Sequence, residues 1–256
     1  MWIPVPYHWI DYGSIAVVVV MVIGFIVEIW RGALGPRTVY PFRGPVKKQG
    51  KFRAYIMGLI EAVFGDAFYA APLKECHLGA YYERKTHVKR IAHFLIFYGF
   101  LLLILSTITG FVFDKWVSVY SFIPAEKLGS MGRFIEIGLG ITGGILVLIG
   151  LAIYMPVRFR GEIARRITSA DTFILLLLLS VLSGFLLEIS EYVASHLFIT
   201  VAFWIHMAFV VSLFVSMPYT KASHVLYQII WNFWDRSGRR LGKVPKIPGT
   251  DARAQR

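Results

Sequence analysis

Residues 12–30 read YGSIAVVVVMVIGFIVEIW, an almost wholly apolar run with one charged residue, Glu28, close to its end. A membrane-spanning helix needs about 20 mostly apolar residues, because each residue rises about 1.5 Å through about 30 Å of hydrocarbon. Four further stretches meet this need, and none shows the strict alternation of a membrane strand. The five predicted spans are Tyr12–Trp30, Ile91–Phe113, Phe134–Met155, Asp171–Leu187 and Leu197–Met217. The sequence therefore predicts an all-α integral membrane protein, a bundle of five transmembrane helices.

The composition of the whole chain supports this class. Of 256 residues, 57% are hydrophobic and only 16% are charged. A soluble protein of this length could not cover so much hydrocarbon with so few charges. The single cysteine, Cys76, excludes intrachain disulfides, cysteine-bound zinc and an iron–sulfur cluster held by this chain. The composition thus argues against a soluble enzyme, a disordered chain and a secreted disulfide scaffold.

The positive charges predict the orientation of the spans. Lysine and arginine outnumber aspartate and glutamate by 27 to 15. With five spans, 24 of the 27 fall on one side, 12 in residues 31–92, four in 157–170 and eight from Tyr219 onward. Cytoplasmic loops carry such an excess, so the N-terminus is predicted outside and the C-terminus inside the cell, in the inner (cytoplasmic) membrane. The excess of lysine and arginine then reflects the orientation of the spans in the membrane rather than nucleic-acid binding.

A sixth apolar stretch, Phe52–Tyr69, is interrupted by Arg53, Glu61 and Asp66. It is typical of an amphipathic helix on the inner membrane surface, either as a simple surface helix or as a dock for a cytoplasmic partner. The predicted organisation is an outer N-terminus with span 1 (1–30), a basic cytoplasmic segment with the amphipathic helix (31–90), a four-span core (91–230) and a basic cytoplasmic tail (231–256).

Three of the seven histidines are candidate site residues. His206 lies in the middle of the fifth span, where an imidazole needs a polar partner, a water-lined cavity or a metal. His224 follows 18 residues later, which is five helical turns, so both rings would share one face if the helix continues past Pro218. His93 opens the second span at the depth of His224. Two such histidines on neighbouring helices could hold a haem, although a histidine hydrogen-bonded to a neighbouring helix fits the spacing too.

Two further features lie in the third span. Gly140 and Gly144 predict a close approach of another helix, or room for a porphyrin face. Glu136, together with Asp114 and Lys115, could shape a quinol pocket, or these residues could be ordinary polar groups at the membrane interface.

The histidine motifs resemble those of one family of membrane cytochromes. His206-x17-His224, ending in PYTKASH, is similar to the last span of the respiratory nitrate reductase gamma-subunit family. The segment HFLIFYGFLLLILST from His93 resembles the branch that contains heterodisulfide reductase cytochrome b subunits and the sulfite-reduction-associated DsrM proteins. The likeness covers roughly residues 85–230.

This resemblance implies an electron-transfer enzyme subunit that moves electrons between a quinone, or a methanophenazine-like carrier, and a cytoplasmic iron–sulfur subunit. It implies haem b, non-covalent because no Cys-x-x-Cys-His motif is present. His93 and His224 match the ligands of the inner haem, and His206 matches one ligand of the outer haem. Leu103 stands where the pattern has another histidine, so two haems are favoured and one is possible.

Two other classes of protein fit the same residues. A transporter or channel could use buried histidines to relay protons. A haem-free membrane anchor could hold a partner, with its histidines serving a structural role.

Overall fold

The computed structural model describes residues 7–30, 50–68, 80–113, 125–159, 169–193, 195–220 and 223–242. Within these ranges the chain consists of helices joined by a few turn and extended residues, and it contains no strand. The helices are α1 (Tyr7–Glu28), α2 (Lys51–Ile60) with a π-helical continuation (Glu61–Phe68), α3 (Ala80–Val112), α4 (Ala125–Phe159), α5 (Ser169–Val193), α6 (His196–Ser216), a 3-10 turn (Met217–Tyr219) and α7 (Ser223–Arg240).

Five of these helices are long and apolar enough to cross a membrane, which confirms the predicted five-span bundle. The candidate spans are Trp9–Glu28, Arg90–Val112, Met131–Pro156, Asp171–Ser190 and His196–Tyr219, with mean hydropathies of 2.2 to 2.4. This is a multi-pass membrane protein. The orientation of the spans stays a prediction.

The spans expose apolar side chains, as helices surrounded by lipid do. Lipid tails are as apolar as leucine, so these side chains need no protein cover. Exposed examples from the five spans in order are Val19, Ile108, Ile145, Leu182 and Val201.

The chain divides into two compact units. The four-helix unit comprises Met1–Ile10 and Leu78–Leu213, and therefore α3, α4, α5 and most of α6. The surface-helix unit comprises Asp11–His77 and Phe214–Arg256, and therefore most of α1, α2 with its π-helical continuation, the 3-10 turn and α7.

Glycines bring α3 and α4 of the four-helix unit into backbone contact. A Cβ placed on Gly99 would lie 2.7 Å from the carbonyl oxygen of Gly143, and a Cβ on Gly143 would lie 2.7 Å from the carbonyl oxygen of Gly99. The hydroxyl of Ser106 also donates to the carbonyl of Glu136 across this contact, at 2.7 Å. Small residues and interhelical hydrogen bonds are the means by which membrane helices associate.

The predicted close approach at Gly140 and Gly144 is confirmed. A Cβ on Gly140 would lie 3.2 Å from the Ser106 hydroxyl, and one on Gly144 would lie 2.8 Å from the ring of Phe185 on α5. α4 therefore contacts α3 on one side and α5 on the other.

The core of the four-helix unit lies between α4, α5 and α6. It consists of Val147, Leu151, Leu177, Val181 and Leu213. Leu103 of α3 packs against this cluster. The position at which the cytochrome pattern would place a second histidine in this span is therefore part of the hydrophobic packing.

In the surface-helix unit, small residues on α2 and its continuation form the buried face. Ala54, Gly58 and Ala62 are buried and recur every fourth residue, so they form one stripe. A Cβ on Gly58 would overlap the hydroxyl of Ser237 on α7 and lie 3.1 Å from its backbone nitrogen. The ring centroids of Tyr55 and Phe233 are 6.1 Å apart.

Ion pairs join the same elements. Glu61 accepts a hydrogen bond from Arg236 at 3.1 Å and a second, shorter one from Arg240. Residues 231–240, predicted as part of a basic tail, are thus the second half of α7.

The shared face of His206 and His224 depended on a helix that continues past Pro218, and the structure does not meet this condition. α6 ends at Ser216, a 3-10 turn follows at Met217–Tyr219, and Thr220 is extended at φ −103° and ψ 177°. Pro218 has no backbone N–H, and its ring is incompatible with the carbonyl of the preceding turn of an α-helix. The argument that both histidines share one helical face therefore does not hold.

The first prediction concerns the contact between Gly99 of α3 and Gly143 of α4. Gly99→Ala and Gly143→Ala each place a methyl group against backbone atoms that cannot move aside, and overpacking of this kind costs about 1–3 kcal/mol. We expect the free energy of unfolding, followed by circular dichroism in detergent, to fall by that amount for each variant. Gly138→Ala is the matched control, because a Cβ at Gly138 meets nothing within 4 Å. Unchanged stability of both contact variants would contradict the backbone approach.

Candidate functional site

His206 is the candidate site residue whose surroundings are best described. It lies near the middle of the fifth span, about 15 Å along α6 from its first residue. Its Nδ1 is 3.1 Å from the hydroxyl oxygen of Ser183 on α5. Ser183 is buried, with 5% of its surface exposed. The partner that a mid-membrane imidazole requires is therefore supplied by the preceding span.

The hydrogen bonds of Ser183 assign the tautomer of His206. The Ser183 hydroxyl donates its single proton to the carbonyl of Ser180, at 3.0 Å. Its oxygen therefore accepts from His206, which places the imidazole proton on Nδ1. In the neutral ring Nε2 then carries a lone pair, so it can accept a proton or bind a metal.

A glycine gives the imidazole access to α5. A Cβ on Gly184 would lie 3.2 Å from Cε1 of His206 and 3.9 Å from Nε2. A side chain larger than hydrogen at this position would press on the ring.

Ser180 adds a second hydroxyl to the same face of α5, one turn before Ser183 and Gly184. Its Oγ is buried and has no hydrogen-bond partner among the described residues. We call the group Ser180, Ser183, Gly184 and His206 the buried polar site.

The other two candidate histidines lie on α3 and α7. The ring of His93 stacks on Phe97 one turn later in α3, with centroids 6.2 Å apart and an interplanar angle of 17°. The backbone of His224 lies in the first turn of α7, and its side chain lies outside the described residues. His93 belongs to the four-helix unit and His224 to the surface-helix unit.

The residues fit haem only in part. His206 has the arrangement of an iron ligand, with Nδ1 hydrogen-bonded to a second group and Nε2 carrying the lone pair. Leu103 packs into the core and cannot provide a second ligand. Among the described residues, no group of three or more histidine, cysteine, aspartate or glutamate side chains could hold a metal ion.

A further polar contact ties α4 to α5 beyond the apolar part of the spans. Arg158 donates two hydrogen bonds to Asp171, Nε to Oδ1 at 3.0 Å and Nη2 to Oδ2 at 2.9 Å. The hydrogen bond to Asp171 raises the pKa of Arg158, against the opposing effect of desolvation. Arginine is charged throughout the accessible pH range, so this contact fixes the ends of two helices and does not titrate.

Sequence reasoning identified His206 but missed Ser180, Ser183 and Gly184. The signal was present as SVLSG at residues 180–184, a serine pair and a glycine inside the span before His206. Polar and small residues in a membrane helix mark the face that contacts other helices.

The sequence is similar to one described family over most of its length. Residues 5–241 match the family described as CitB, citrate utilization protein B. Citrate utilization protein B of Escherichia coli is 32% identical over 165 residues, which cover 61% of this chain and 41% of the relative. This chain therefore spans less than half the length of that curated relative. No solved structure matches the chain.

These similarities overturn the resemblance to the respiratory nitrate reductase gamma-subunit family and its heterodisulfide reductase and DsrM branch. The predicted role as a cytochrome b subunit of a respiratory complex and the classification as a quinol-linked electron-transfer enzyme are wrong. The predicted partners, an iron–sulfur subunit and a quinone or methanophenazine-like carrier, are wrong as well. The motif His206-x17-His224 misled because its meaning depended on a continuous helix, which ends at Ser216.

The hydrogen bond between α5 and α6 makes the second prediction. Ser183→Ala removes the hydroxyl that is hydrogen-bonded to Nδ1 of His206, and the loss of one hydrogen bond of this kind costs about 0.5–1.5 kcal/mol. We expect chemical denaturation in detergent to show a loss of this size. Thr200→Val is the control, because the Thr200 hydroxyl donates to the carbonyl of His196 in its own helix. The double variant Ser183→Ala/His206→Leu removes both polar groups and should recover part of the loss; equal stability of Ser183→Ala and the parent would refute the bond.

Proposed function

The chain belongs to the citrate utilization protein B family, and on this premise we propose that it serves citrate utilization as a multi-pass protein of the cytoplasmic membrane. The observation that carries the proposal is the extent of the match. Residues 5–241 include all five spans and both α2 and α7, so the similarity extends over the whole membrane architecture. The N-out, C-in orientation is part of the proposal, supported by the 24 of 27 lysines and arginines on one side.

Within this role we assign His206 as a proton-relaying group. Ionisable residues inside membrane spans are costly, and in transporters they form proton relays. The Ser183 hydroxyl holds Nδ1–H, so Nε2 is the nitrogen that gains and loses a proton. Histidine suits this task because its ring can take up a proton on one nitrogen and release a proton from the other.

The unpartnered hydroxyl of Ser180 supports a site that takes a polar guest. A buried hydroxyl without a partner costs about 1–3 kcal/mol. A water molecule or a carboxylate oxygen of a substrate could accept its hydrogen bond. A bound water molecule or substrate would then remove the free-energy cost of the unpaired Ser180 hydroxyl.

The third prediction concerns growth on citrate. We expect deletion of the coding sequence in its own host to abolish growth on citrate as the sole carbon source and to leave growth on glucose unchanged. The full-length gene should restore growth, and His206→Gln, which keeps polarity but cannot carry a proton, should not. His196→Gln is the matched control, because His196 lies at the exposed start of the same helix.

Each outcome bears on a different part of the proposal. Normal growth of the deletion strain on citrate would overturn the assigned role. Full growth with His206→Gln would overturn the proton relay and leave the role in citrate utilization, as a membrane anchor. The amount of protein in the membrane must be equal among the variants, which an immunoblot checks.

Haem b bound by His93, His206 and His224 is a separate proposal, which the family assignment does not test. It competes with the proton relay, because both use Nε2 of His206. The fourth prediction is that, if haem is bound, the purified full chain gives b-type absorption bands with two haems per chain. His206→Ala should then lower this ratio to one. A colourless, folded protein would exclude haem.

A further inference from the structure

The surface-helix unit carries an uncovered apolar face. On α2, Phe52, Ile56 and Leu59 are 80%, 42% and 50% exposed. Their spacing of three and four residues places them on one side of the helix. Phe64 in the π-helical continuation and Trp234 on α7 are exposed as well, by 63% and 55%.

The packing of α2 against α7 cannot cover this face. At 100° per residue, the stripe Ala54, Gly58 and Ala62 that contacts α7 lies about 130° around the helix from the face of Phe52, Ile56 and Leu59. Glu61, which binds Arg236 and Arg240, lies on the side of the stripe. Glu61, one of the two carboxylates of this amphipathic segment, is thus paired with α7 and turned away from the apolar face.

The topology of the chain places α2 and α7 at one edge of the membrane. α2 follows span 1 and α7 follows span 5, and odd-numbered spans end on the same side. A Cβ on Gly24 near the end of α1 would lie 2.9 Å from the ring of Pro218, which precedes α7. The last turns of these two spans therefore meet at the same depth.

The charges around this face suit an anionic surface. Lys51 and Arg53 are exposed in the first turn of α2. They lie on the side of the membrane where 24 of the 27 lysines and arginines fall. Anionic headgroups attract clusters of lysine and arginine next to a span.

We propose that α2, with its π-helical continuation and braced by α7, lies in the interface of a bilayer that contains anionic lipid. Phe52, Ile56 and Leu59 insert among the upper acyl chains, while Lys51 and Arg53 contact the headgroups. An interfacial helix buries its apolar face about 5–10 Å into this boundary. The bilayer, and not a partner protein, is the occupant, because the face combines large apolar side chains with exposed cations beside the ends of two spans.

A depth measurement on the full chain tests this inference. A Cys76→Ser background carries a single cysteine at Leu59→Cys, labelled with the environment-sensitive fluorophore NBD, in nanodiscs of phosphatidylcholine and phosphatidylglycerol. We expect blue-shifted emission and quenching by doxyl-labelled lipid, at a depth of about 5–10 Å below the headgroup boundary. Arg53→Cys is the matched control on the flank of the same helix, and we expect iodide in the water to quench it.

Three results would overturn the inference. A probe at Leu59 that iodide quenches and doxyl lipid does not would show that the face is in water. A blue-shifted probe that neither reagent reaches would show protein contact, from another copy of the chain. Equal depth in pure phosphatidylcholine and in the anionic mixture would remove the role of the headgroup charge.

A second pair of variants tests whether the contact with α7 positions α2 at the membrane surface. Gly58→Leu should force α2 away from Ser237 and change the depth of the probe at Leu59. Gly65→Leu should not, because a Cβ at Gly65 meets nothing within 4 Å. An unchanged depth in Gly58→Leu would show that α7 does not position the interfacial helix.

Discussion

The structure depends on one constraint, that a backbone inside hydrocarbon must form its hydrogen bonds within its own helix. Once the helices are formed, lipid covers their apolar sides as well as protein does, so the hydrophobic effect gives little reason for them to associate. Close packing of the helix backbones and a few interhelical hydrogen bonds therefore have to hold the helices together. Gly99 and Gly143 allow the backbones of α3 and α4 to touch, and the Ser106 hydroxyl reaches the carbonyl of Glu136 across that contact.

The same small-residue packing recurs in the surface-helix unit. Ala54, Gly58 and Ala62 bring α2 and its continuation against α7. The ion pairs of Glu61 are partly exposed, with 33% of its side chain accessible and about 22% of that of Arg236. Pairs at this exposure contribute at most about 1 kcal/mol each. Steric fit therefore sets the distance between the helices, and the ion pairs fix their register.

Hydropathy predicted the spans well, because a stretch of about 20 apolar residues has few alternatives in a folded chain. The second half of α7 was missed because IIWNFWDRSGRR mixes aromatic, polar and basic residues in a pattern typical of neither a span nor a tail. Its buried residue Ser237 packs against Gly58 of α2. Contacts of this kind join residues about 175 positions apart, and no local pattern discloses them.

The two histidines of the last span show why periodicity has a limited range. The spacing of two residues along the sequence predicts a shared helical face only if both residues belong to one continuous helix. Here Pro218 and the extended Thr220 interrupt the helix between α6 and α7, so the spacing predicts no shared face. The free-energy cost of burying a polar group does not depend on helix continuity, so it applies to His206 even though α6 ends before His224. This cost correctly predicts that His206 has a hydrogen-bond partner. It does not identify the partner, Ser183, which lies on another helix 23 residues away. A buried ionisable residue in a membrane span is therefore a sound starting point for locating a site, and the chemistry of that site has to be taken from the neighbouring helix.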